Sequence, residues 1–460
     1  MTDNSREWIK AIQKTNRLLK IADIKEHEII VYLLKILLLK QKLATSEPSS
    51  SMYIAWSELL KGALDHSVQT GERLNRAFEQ LAERDPRIKE NIPVSPDFTS
   101  LPLNNEQQIN NKIVKTFSNI PFDSDTIHGE IADYIIRTDS SLNKKYGFNL
   151  NPPYIAQLIA GFIDPEPGMK VCDFDCKDGS NLIECAKMMD TKKEDQNTQY
   201  FGFLQGSVES TICLLNMAIH NVPLYQVRLF PTKENLAVLH EIMVRENIAP
   251  CDRIIGNYFP FLARKSSKKE NESINDLIQL LTPDGMLALI VPQRMLAGRE
   301  DAQDRVDYVK NDKIESVVRL PSSFSYGAGI ELYLVTIRAE KLPATKNKIL
   351  FIDLADYLQY INEKEISSVR TGEIIEKYRN FTLGLPDKKE IELTRFSRVV
   401  STDDVEKSNF ILTIQRYVSP PVDHIDIKGG YLELQKIQKR KGELEMEMDS
   451  CLKEIVKKMG

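Results

Sequence analysis

The sequence lacks several features that mark special classes of protein. Its longest apolar run, residues 29–39, has about 11 residues and contains Lys35, whereas a membrane span needs about 20. The six cysteines form no Cys-x-x-Cys pair, so neither a disulfide framework nor a four-cysteine zinc site is expected. The first residues lack the basic and apolar regions of a signal peptide. We therefore expect a protein of the reducing cytoplasm without a membrane span.

Neither sign of charge dominates the chain. Lys and Arg number 61 against 66 Asp and Glu, which gives a net charge of −5. Phosphate would repel such a chain weakly, so any contact with nucleic acid requires a local basic patch. Residues 264–269 supply one, with Lys265, Lys268 and Lys269. This stretch is either a solvated loop or a surface that faces phosphate.

Periodicity divides the 460 residues into four segments. Apolar positions at helical spacing predict an N-terminal helical domain over residues 1–146, and an α/β domain follows over 147–345. A mixed segment covers 346–428, with a small strand expected near 348–352. Residues 429–460 are predicted to form a long helix with heptad spacing, which either packs on its own domain or binds a partner. Its a/d-type positions are Leu434, Ile437, Leu444, Met448, Cys451 and Ile455.

Seven β-type runs alternate with helical stretches after residue 151, which indicates a parallel sheet with crossover helices. The last two runs, 314–320 and 332–338, are close enough in sequence to form an antiparallel pair at the edge of that sheet. Such a hairpin is a feature of class I methyltransferases, which have a Rossmann-like sheet. The predicted runs are 170–174, 200–204, 225–230, 252–256, 286–291, 314–320 and 332–338.

Two strand ends carry residues suited to binding chemistry. Residues 173–179 form the loop after the first strand, where a nucleotide-like cofactor binds in doubly wound sheets; the alternative is a solvated turn capped by Asp173. Asn257 ends the fourth strand and is followed by aromatic residues. An amide accepts from the exocyclic amine of a base while a ring stacks on it. The alternative is a turn beside a hydrophobic plug.

In order along the chain, these segments resemble the N6-adenine DNA methyltransferases that serve as modification subunits of type I restriction-modification systems. Asn151-Pro152 with the helical residues 155–165 looks like the family's Thr-Pro segment that leads to Asp-Pro. Residues 281–292 look like its Leu-Lys-Pro-Gly-Gly strand, and 314–337 like its terminal hairpin. Residues 409–418 are similar to its Asn-Leu-x-x-x-Arg-Tyr-Val signal.

The resemblance implies roles for particular residues. S-adenosylmethionine would contact Asp173, Cys176, Gly179, Asn151 and Pro152. The adenine would contact the residues that match the catalytic motif, Asn257, Pro260 and Phe261. The resemblance also implies DNA as a partner, near the basic stretch defined above. It implies a specificity-type subunit that docks through the C-terminal helix and the N-terminal domain.

Three departures from the family pattern fall on the motifs that carry the chemistry. The family's Asp-Pro-Ala-Cys-Gly-Ser-Gly loop has Lys177 at its first glycine, and its acidic residue after the second strand is replaced by Leu204. The family's Asn-Pro-Pro-Phe or Tyr motif is interrupted here by Tyr258 and Phe259. We therefore expect a pseudo-methyltransferase with lost or weakened binding of S-adenosylmethionine. The alternatives are an active adenine-specific DNA methyltransferase with an unusual pocket, or a methyltransferase with another substrate or a changed ligand.

Overall fold

The fold is seen in a computed structural model that divides into two compact units, Met1–Val418 and Ser419–Gly460. The structure describes residues 3–44, 56–65, 69–85, 88, 97–99, 106–120, 127–138, 150–192, 197–204, 206–223, 225–229, 236–257, 274–299, 301–321, 330–361, 368–386, 392–418, 434–435, 437–446 and 448.

Unit 1 is built on a single mixed β-sheet. Its strands are β1 (Lys170–Asp173), β2 (Gln199–Leu204), β3 (Tyr225–Leu229), β4 (Cys251–Asn257), β5 (Leu281–Pro292), β6 (Ile314–Arg319), β7 (Leu332–Arg338), β8 (Lys348–Asp353) and β9 (Ser397–Ser401). The spatial order is β3-β2-β1-β4-β5-β7-β6-β8-β9. Strands β1 to β5 are parallel, and β7 runs antiparallel to both β5 and β6. The predicted α/β class and the antiparallel pairing of β6 with β7 are confirmed, but the predicted place of this pair at the sheet edge is wrong, because β8 and β9 extend the sheet beyond β6.

The central strands are apolar because both faces of the sheet are covered. Along β5, Leu287 and Leu289 pack into one core while Met286 and Ile290 pack into the other, and all four are at most 1% exposed. Strands buried on both faces read as continuous apolar runs instead of alternating patterns. This burial explains why the seven predicted strands match the observed ones to within a few residues.

The sheet has nine strands where the sequence predicted seven. Strand β8 pairs in parallel with β6 and includes the small strand expected near 348–352. Strand β9 pairs with β8 as an edge strand. Four of its five residues are partly or largely exposed, so its sequence carries no apolar pattern. Both strands lie beyond residue 345, where we predicted the α/β domain to end.

Helices cover the sheet and form the N-terminal region. Before the sheet come α1 (Asp3–Ile21), α2 (Glu26–Ala44), α3 (Trp56–Leu64), α4 (Thr70–Arg84), α5 (Glu106–Ser118), α6 (Ile127–Arg137) and α7 (Pro153–Ile163). The remaining ones are α8 (Ser180–Lys192), α9 (Ser207–Ile219), α10 (Leu236–Arg245), α11 (Ile274–Ile278), α12 (Gln293–Ala297), α13 (Ala302–Lys310), α14 (Leu354–Tyr360), α15 (Ser368–Leu383) and α16 (Thr402–Lys407). Among the helices described, none combines the length and the hydropathy that crossing a membrane requires.

Helix α2 joins the N-terminal helices to the sheet. Every side chain from Ile29 to Leu39 is at most 3% exposed, as the apolar run predicted. The Gln41 amide donates to the Ile219 carbonyl (2.9 Å), and the Lys42 ammonium donates to Asn221 (2.6 Å), so α2 is tied to the end of α9. The helical region and the sheet therefore share one continuous core.

Burial of Lys35 within this core predicts a pH-dependent stability. Desolvation lowers the pKa of its ammonium to about 8, with the charge of Asp97 opposing the shift. Between this pKa and that of an unfolded lysine, near 10.4, the unfolded chain binds more protons, so the free energy of unfolding rises with pH. Lys35→Met lacks this pH-dependent part of the free energy of unfolding, because methionine does not titrate. Relative to the native chain, the stability of the variant should fall by about 1–3 kcal/mol between about pH 7.5 and pH 10.

Urea unfolding of both proteins at the two pH values measures this difference. The other buried groups titrate in both proteins, so their effects cancel in the difference between the two free energies of unfolding. Lys112→Met, on the exposed side of α5, is the matched surface control. A difference for Lys35→Met that stays constant with pH would contradict the lowered pKa.

Candidate functional site

The two strand ends singled out in the sequence meet at the carboxyl edge of the parallel strands. Asp173 ends β1 and Asn257 ends β4, and the two strands are hydrogen-bonded neighbours with Asp173 opposite Ile255. Ligands of open α/β sheets bind outside this edge. The sheet therefore places both candidate loops on one side of the molecule.

Asp173 is held by its own loop. Its side chain is fully buried, with one carboxylate oxygen accepting from the Asn181 amide (2.9 Å) and the other from the Asp175 backbone N–H (3.1 Å). Burial raises the pKa of this carboxyl to about 7, although both hydrogen bonds oppose the shift. Asp173 thus caps the turn, as the alternative to cofactor binding in the sequence analysis proposed.

A chain of polar contacts connects the loop to the N-terminal helices. The Asn151 amide donates to the Asn181 side-chain oxygen (3.2 Å), and Arg137 on α6 donates to the Asn151 carbonyl (2.8 Å). The same guanidinium lies 3.6 Å from the Asp178 carboxylate. Burial raises the pKa of Asp178, and the charge of Arg137 works against that rise. Helix α6 therefore fixes the position of the loop that follows β1.

The loop keeps a left-handed backbone conformation at the position where the family has its first glycine and this chain has Lys177. Lys177 has a φ of 48° and Gly179 a φ of 80°, both in the left-handed region. An L-residue in this region is disfavoured by about 1–2 kcal/mol. The Lys177 ammonium lies 2.9 Å from the Asp175 carboxylate, so an ion pair occupies the loop. A Cβ on Gly179 would lie 3.0 Å from a Met217 side-chain carbon on α9.

A small cavity lies between the loop, the end of β4 and α7. Its volume is about 10 Å³, about enough for one water molecule. Sites that hold small molecules have about 300–1,000 Å³. The cavity is lined by Asn151, Ile159, Asp175, Cys176, Lys177, Asp178, Ser180, Asn181, Gly256, Asn257 and Ile290.

The structure brings some of the predicted site residues together and leaves others apart. Asn151, Cys176 and Asn257 line the same cavity. Asp173 and Gly179 lie in the loop behind it, and Pro152 precedes α7 without being part of the lining. The remaining predicted residues lie outside the described residues; these are Pro260, Phe261, Lys265, Lys268 and Lys269.

Cys176, a predicted cofactor contact, and Leu204, which replaces the family's acidic residue, are both buried in the core. The Cys176 thiol is 2% exposed and lies 3.7 Å from the Cys213 sulfur on α9, and burial raises its pKa. Leu204, at the position of the family's ribose-binding carboxylate, is 4% exposed and belongs to the core. A buried leucine offers no acceptor for a ribose hydroxyl.

Sequence reasoning missed Asn181, which bonds to both Asp173 and Asn151. The signal was a polar residue in the first turn of the helix after the loop. Side chains at that position point back toward the preceding turn. Asn181 therefore organises the site without belonging to a motif.

The sheet order and the loop after β1 define the class I methyltransferase fold. Residues 123–424 match the model of the N-6 DNA Methylase family, and the chain belongs to that family. It is thus a member of the N6-adenine methyltransferase group that the motifs indicated.

Known proteins support this assignment. Over 413 aligned residues the chain is 22% identical to the "Type I restriction enzyme MjaVIII methylase subunit" of Methanocaldococcus jannaschii, covering 83% of this chain and 68% of that protein. The type I methyltransferase subunit from Streptococcus thermophilus has a similar fold, with a TM-score of 0.63 and 15% identity over 91% of this chain and 100% of that one. A chain from a study of "complex assembly" of the type I system has a TM-score of 0.55 and 17% identity, covering 96% and 98%. The resemblance to type I modification subunits is confirmed.

Proposed function

We propose that this chain is a modification-subunit-like component of a type I restriction-modification assembly that has lost methyl transfer. The observation that carries the proposal is that the residues described at the ends of β1 and β4 enclose a cavity of only about 10 Å³. The family's cofactor, S-adenosylmethionine, is a nucleoside joined to an amino acid, and the lining residues as they stand do not fit it. The protein would then act by binding DNA and organising its partners.

Two further features of the cleft support this proposal. Leu204 removes the acceptor for the ribose hydroxyls, and hydrogen bonds to a charged group contribute about 1.5–3 kcal/mol. Lys177 puts a cation near the place where a positively charged sulfonium would lie, and its ammonium is already paired with Asp175 at 2.9 Å. Each feature opposes the same ligand for a different physical reason.

An active adenine-specific DNA methyltransferase is the second candidate. Asn257 favours it, because this amide is retained at the end of β4 and lines the cavity beside the cofactor loop. A methyl-transfer assay with labelled S-adenosylmethionine, DNA and the co-purified partner separates the two candidates. We expect the native chain to transfer no more label than Asn257→Ala. Transfer by the native chain that Asn257→Ala abolishes would establish the enzyme and overturn the proposal.

The partner surface is proposed to lie on the C-terminal helix. In the second unit residues 437–446 are helical, and the large apolar side chains at the described heptad positions are about half or more exposed. These are Leu434, Ile437, Leu444 and Met448. An exposed apolar stripe at heptad spacing is typical of a helix that packs against another helix. By family resemblance, the partner is a specificity-type subunit, and the N-terminal helices take part in docking.

Removing residues 430–460 is therefore expected to abolish co-purification with the partner subunit. Ile437→Glu with Leu444→Glu in the full chain should do the same, because two charges would be buried in a helix-helix seam. Lys439→Ala, at a position away from that stripe, is the matched control. Unchanged co-purification of the deleted and doubly substituted chains would remove the proposal.

The cellular compartment remains the predicted one. The five cysteines in the described part of the chain are free and buried, which suits the reducing cytoplasm.

A further inference from the structure

The first helix of the chain has an exposed side that carries a single sign of charge. From Lys10 to Ile21, α1 contains four basic residues and no acidic one. Lys10, Lys14 and Arg17 are all exposed, and together they are called the α1 stripe below. At 3.6 residues per turn they lie on one side of the helix, and they span about 10 Å along its axis. The stripe is a local basic patch in a chain whose net charge is negative.

The opposite side of α1 is fixed in the core. Trp8, Ile12 and Leu19 are at most 6% exposed and belong to the core that the N-terminal helices share with the sheet. The rings of Trp8 and Tyr134 on α6 meet edge to face with their centroids 5.2 Å apart, and the Gln13 amide donates to the Tyr134 hydroxyl (3.1 Å). The apolar side of α1 is therefore already covered. A helix that lies in a membrane surface must instead bury its apolar side in lipid.

The fold does not neutralise the stripe. Within the described part of the chain, no carboxylate lies within 4.0 Å of any of its three cations. Lys20, the fourth basic residue of this segment, lies 3.6 Å from Glu26 and is left out of the stripe for that reason. Glu7, which is exposed one turn before Lys10, is the acidic residue of α1 nearest to the stripe in sequence. The stripe thus keeps an uncompensated positive charge.

The spacing of the stripe opposes folding slightly. Its members are three and four residues apart, so like charges are neighbours on the helix surface and destabilise the helix. By contrast, the exposed residues of α4 mix both signs, as is usual for a solvated face; they include Glu72, Arg76 and Glu79. Because the fold gains no stability from three adjacent cations, their charge is available to a partner of opposite sign.

The chemistry of the stripe fits nucleic acid better than a protein surface. Interfaces between proteins are depleted in lysine and are centred on aromatic and apolar side chains. The stripe consists of cations, with the exposed Ile21 only at the end of the helix. Duplex DNA carries one negative charge per about 1.7 Å of its axis, so several phosphates can face a stripe that is about 10 Å long.

We propose that the α1 stripe binds the phosphate backbone of duplex DNA without regard to base sequence. Its ammonium and guanidinium groups would donate charge-assisted hydrogen bonds to phosphate oxygens and release the counterions that cover them. This inference rests on the proposed function for the choice of DNA as the partner. It adds a DNA contact on the N-terminal helices, which the proposed function assigns only to docking of a subunit.

Binding of a labelled duplex to the full chain, followed by fluorescence anisotropy between about 50 mM and 200 mM salt, tests the proposal. In Lys10→Ala/Lys14→Ala/Arg17→Ala, we expect the affinity at the lower salt concentration to fall at least about tenfold. The slope of log K against log salt should become shallower by about 2–3. The loss should be equal for two duplexes of unrelated sequence, because phosphates carry no base identity. Alanine favours helix and removes the repulsion, so the variant should unfold at the native temperature or above.

Lys61→Ala/Arg76→Ala/Arg245→Ala is the matched control, because it removes three exposed cations from other helices and changes the net charge equally. It should bind DNA nearly as tightly as the native chain. Native affinity and slope in the stripe variant, or an equal loss in the control, would overturn the inference while leaving DNA binding by the chain intact. No binding of DNA by the native chain would overturn the DNA role in the proposed function as well.

Vesicles of phosphatidylserine and phosphatidylcholine are the second probe, because their surface is also anionic. We expect the native chain and the stripe variant to bind them equally weakly. Vesicle binding that depends on the stripe, together with DNA binding that does not, would assign the stripe to a lipid surface and overturn the inference.

Discussion

S-adenosylmethionine titrated into the purified protein is expected to give no saturable heat up to about 1 mM, which corresponds to binding weaker than about −4 kcal/mol. The described residues between the loop after β1 and the end of β4 leave about 10 Å³, and Lys177 is part of that lining. Leu204 supplies no carboxylate in compensation. The lost charged hydrogen bond alone weakens affinity by about tenfold to a hundredfold or more.

The same titration on Lys177→Gly separates the effect of the Lys177 side chain from the effect of the missing carboxylate at Leu204. Glycine adopts the φ of 48° at this position without strain and removes the side chain from the cavity lining. Binding that appears only in this variant would identify Lys177 as the block, and absence of binding in both would implicate Leu204 and the volume of the cleft. Micromolar binding by the native chain would contradict the expectation and restore the enzyme as the leading candidate.

Replacing Arg319 by Met is expected to lower the free energy of unfolding by about 3–5 kcal/mol. Arg319 ends β6 and lies 2.8 Å from Glu331, 3.2 Å from Asp353 and 3.1 Å from Asp356. Asp353 is 1% exposed and also accepts from the Asp356 N–H at the start of α14. Without the guanidinium, its carboxylate is buried without a counter-charge.

The pH dependence of this deficit has a definite sign. Burial raises the pKa of Asp353 even beside Arg319, so the variant can neutralise this carboxyl by binding a proton. The folded variant then holds a proton that the unfolded chain has released above about pH 4, and its stability rises as pH falls. The deficit at about pH 8 should therefore shrink at about pH 5.

Urea unfolding measures both effects, with Arg228→Met as the matched control. The Arg228–Glu246 pair has a similar length, 2.7 Å, but its side chains are 36% and 31% exposed. Water replaces a partner there, so the control should lose at most about 1 kcal/mol. A loss of under about 1 kcal/mol in Arg319→Met as well would show that the cluster does not carry buried charge.

The fold was predictable where burial imposes a pattern. Residues 29–39 and the central strands are apolar because water is excluded from them, and both predictions hold. Strand β9 was not predictable, since it is an edge strand with exposed Arg398 and Val399 and takes its conformation from pairing with β8. The position of β7 between β5 and β6 was also beyond the pattern, because periodicity does not specify which strands become neighbours.

The candidate site was predictable only as a set of loops. The motifs indicated Asp173 and Asn257, and the parallel sheet brings their strand ends together. The hydrogen bond from Asn181 to Asp173, and the small cavity that the described residues enclose, follow from side-chain packing. Packing depends on contacts between residues far apart in the sequence, which local spacing does not encode.

The amino-acid sequence by itself determined the family, the order of the first seven strands along the chain, and the three altered motifs, since each depends on residue identity and short-range spacing. Tertiary structure alone decided the small cavity that the described residues enclose beside Asn257 and the ion cluster around Arg319. Those features arise when the sheet brings distant residues together in a medium where an unpaired charge is strongly disfavoured.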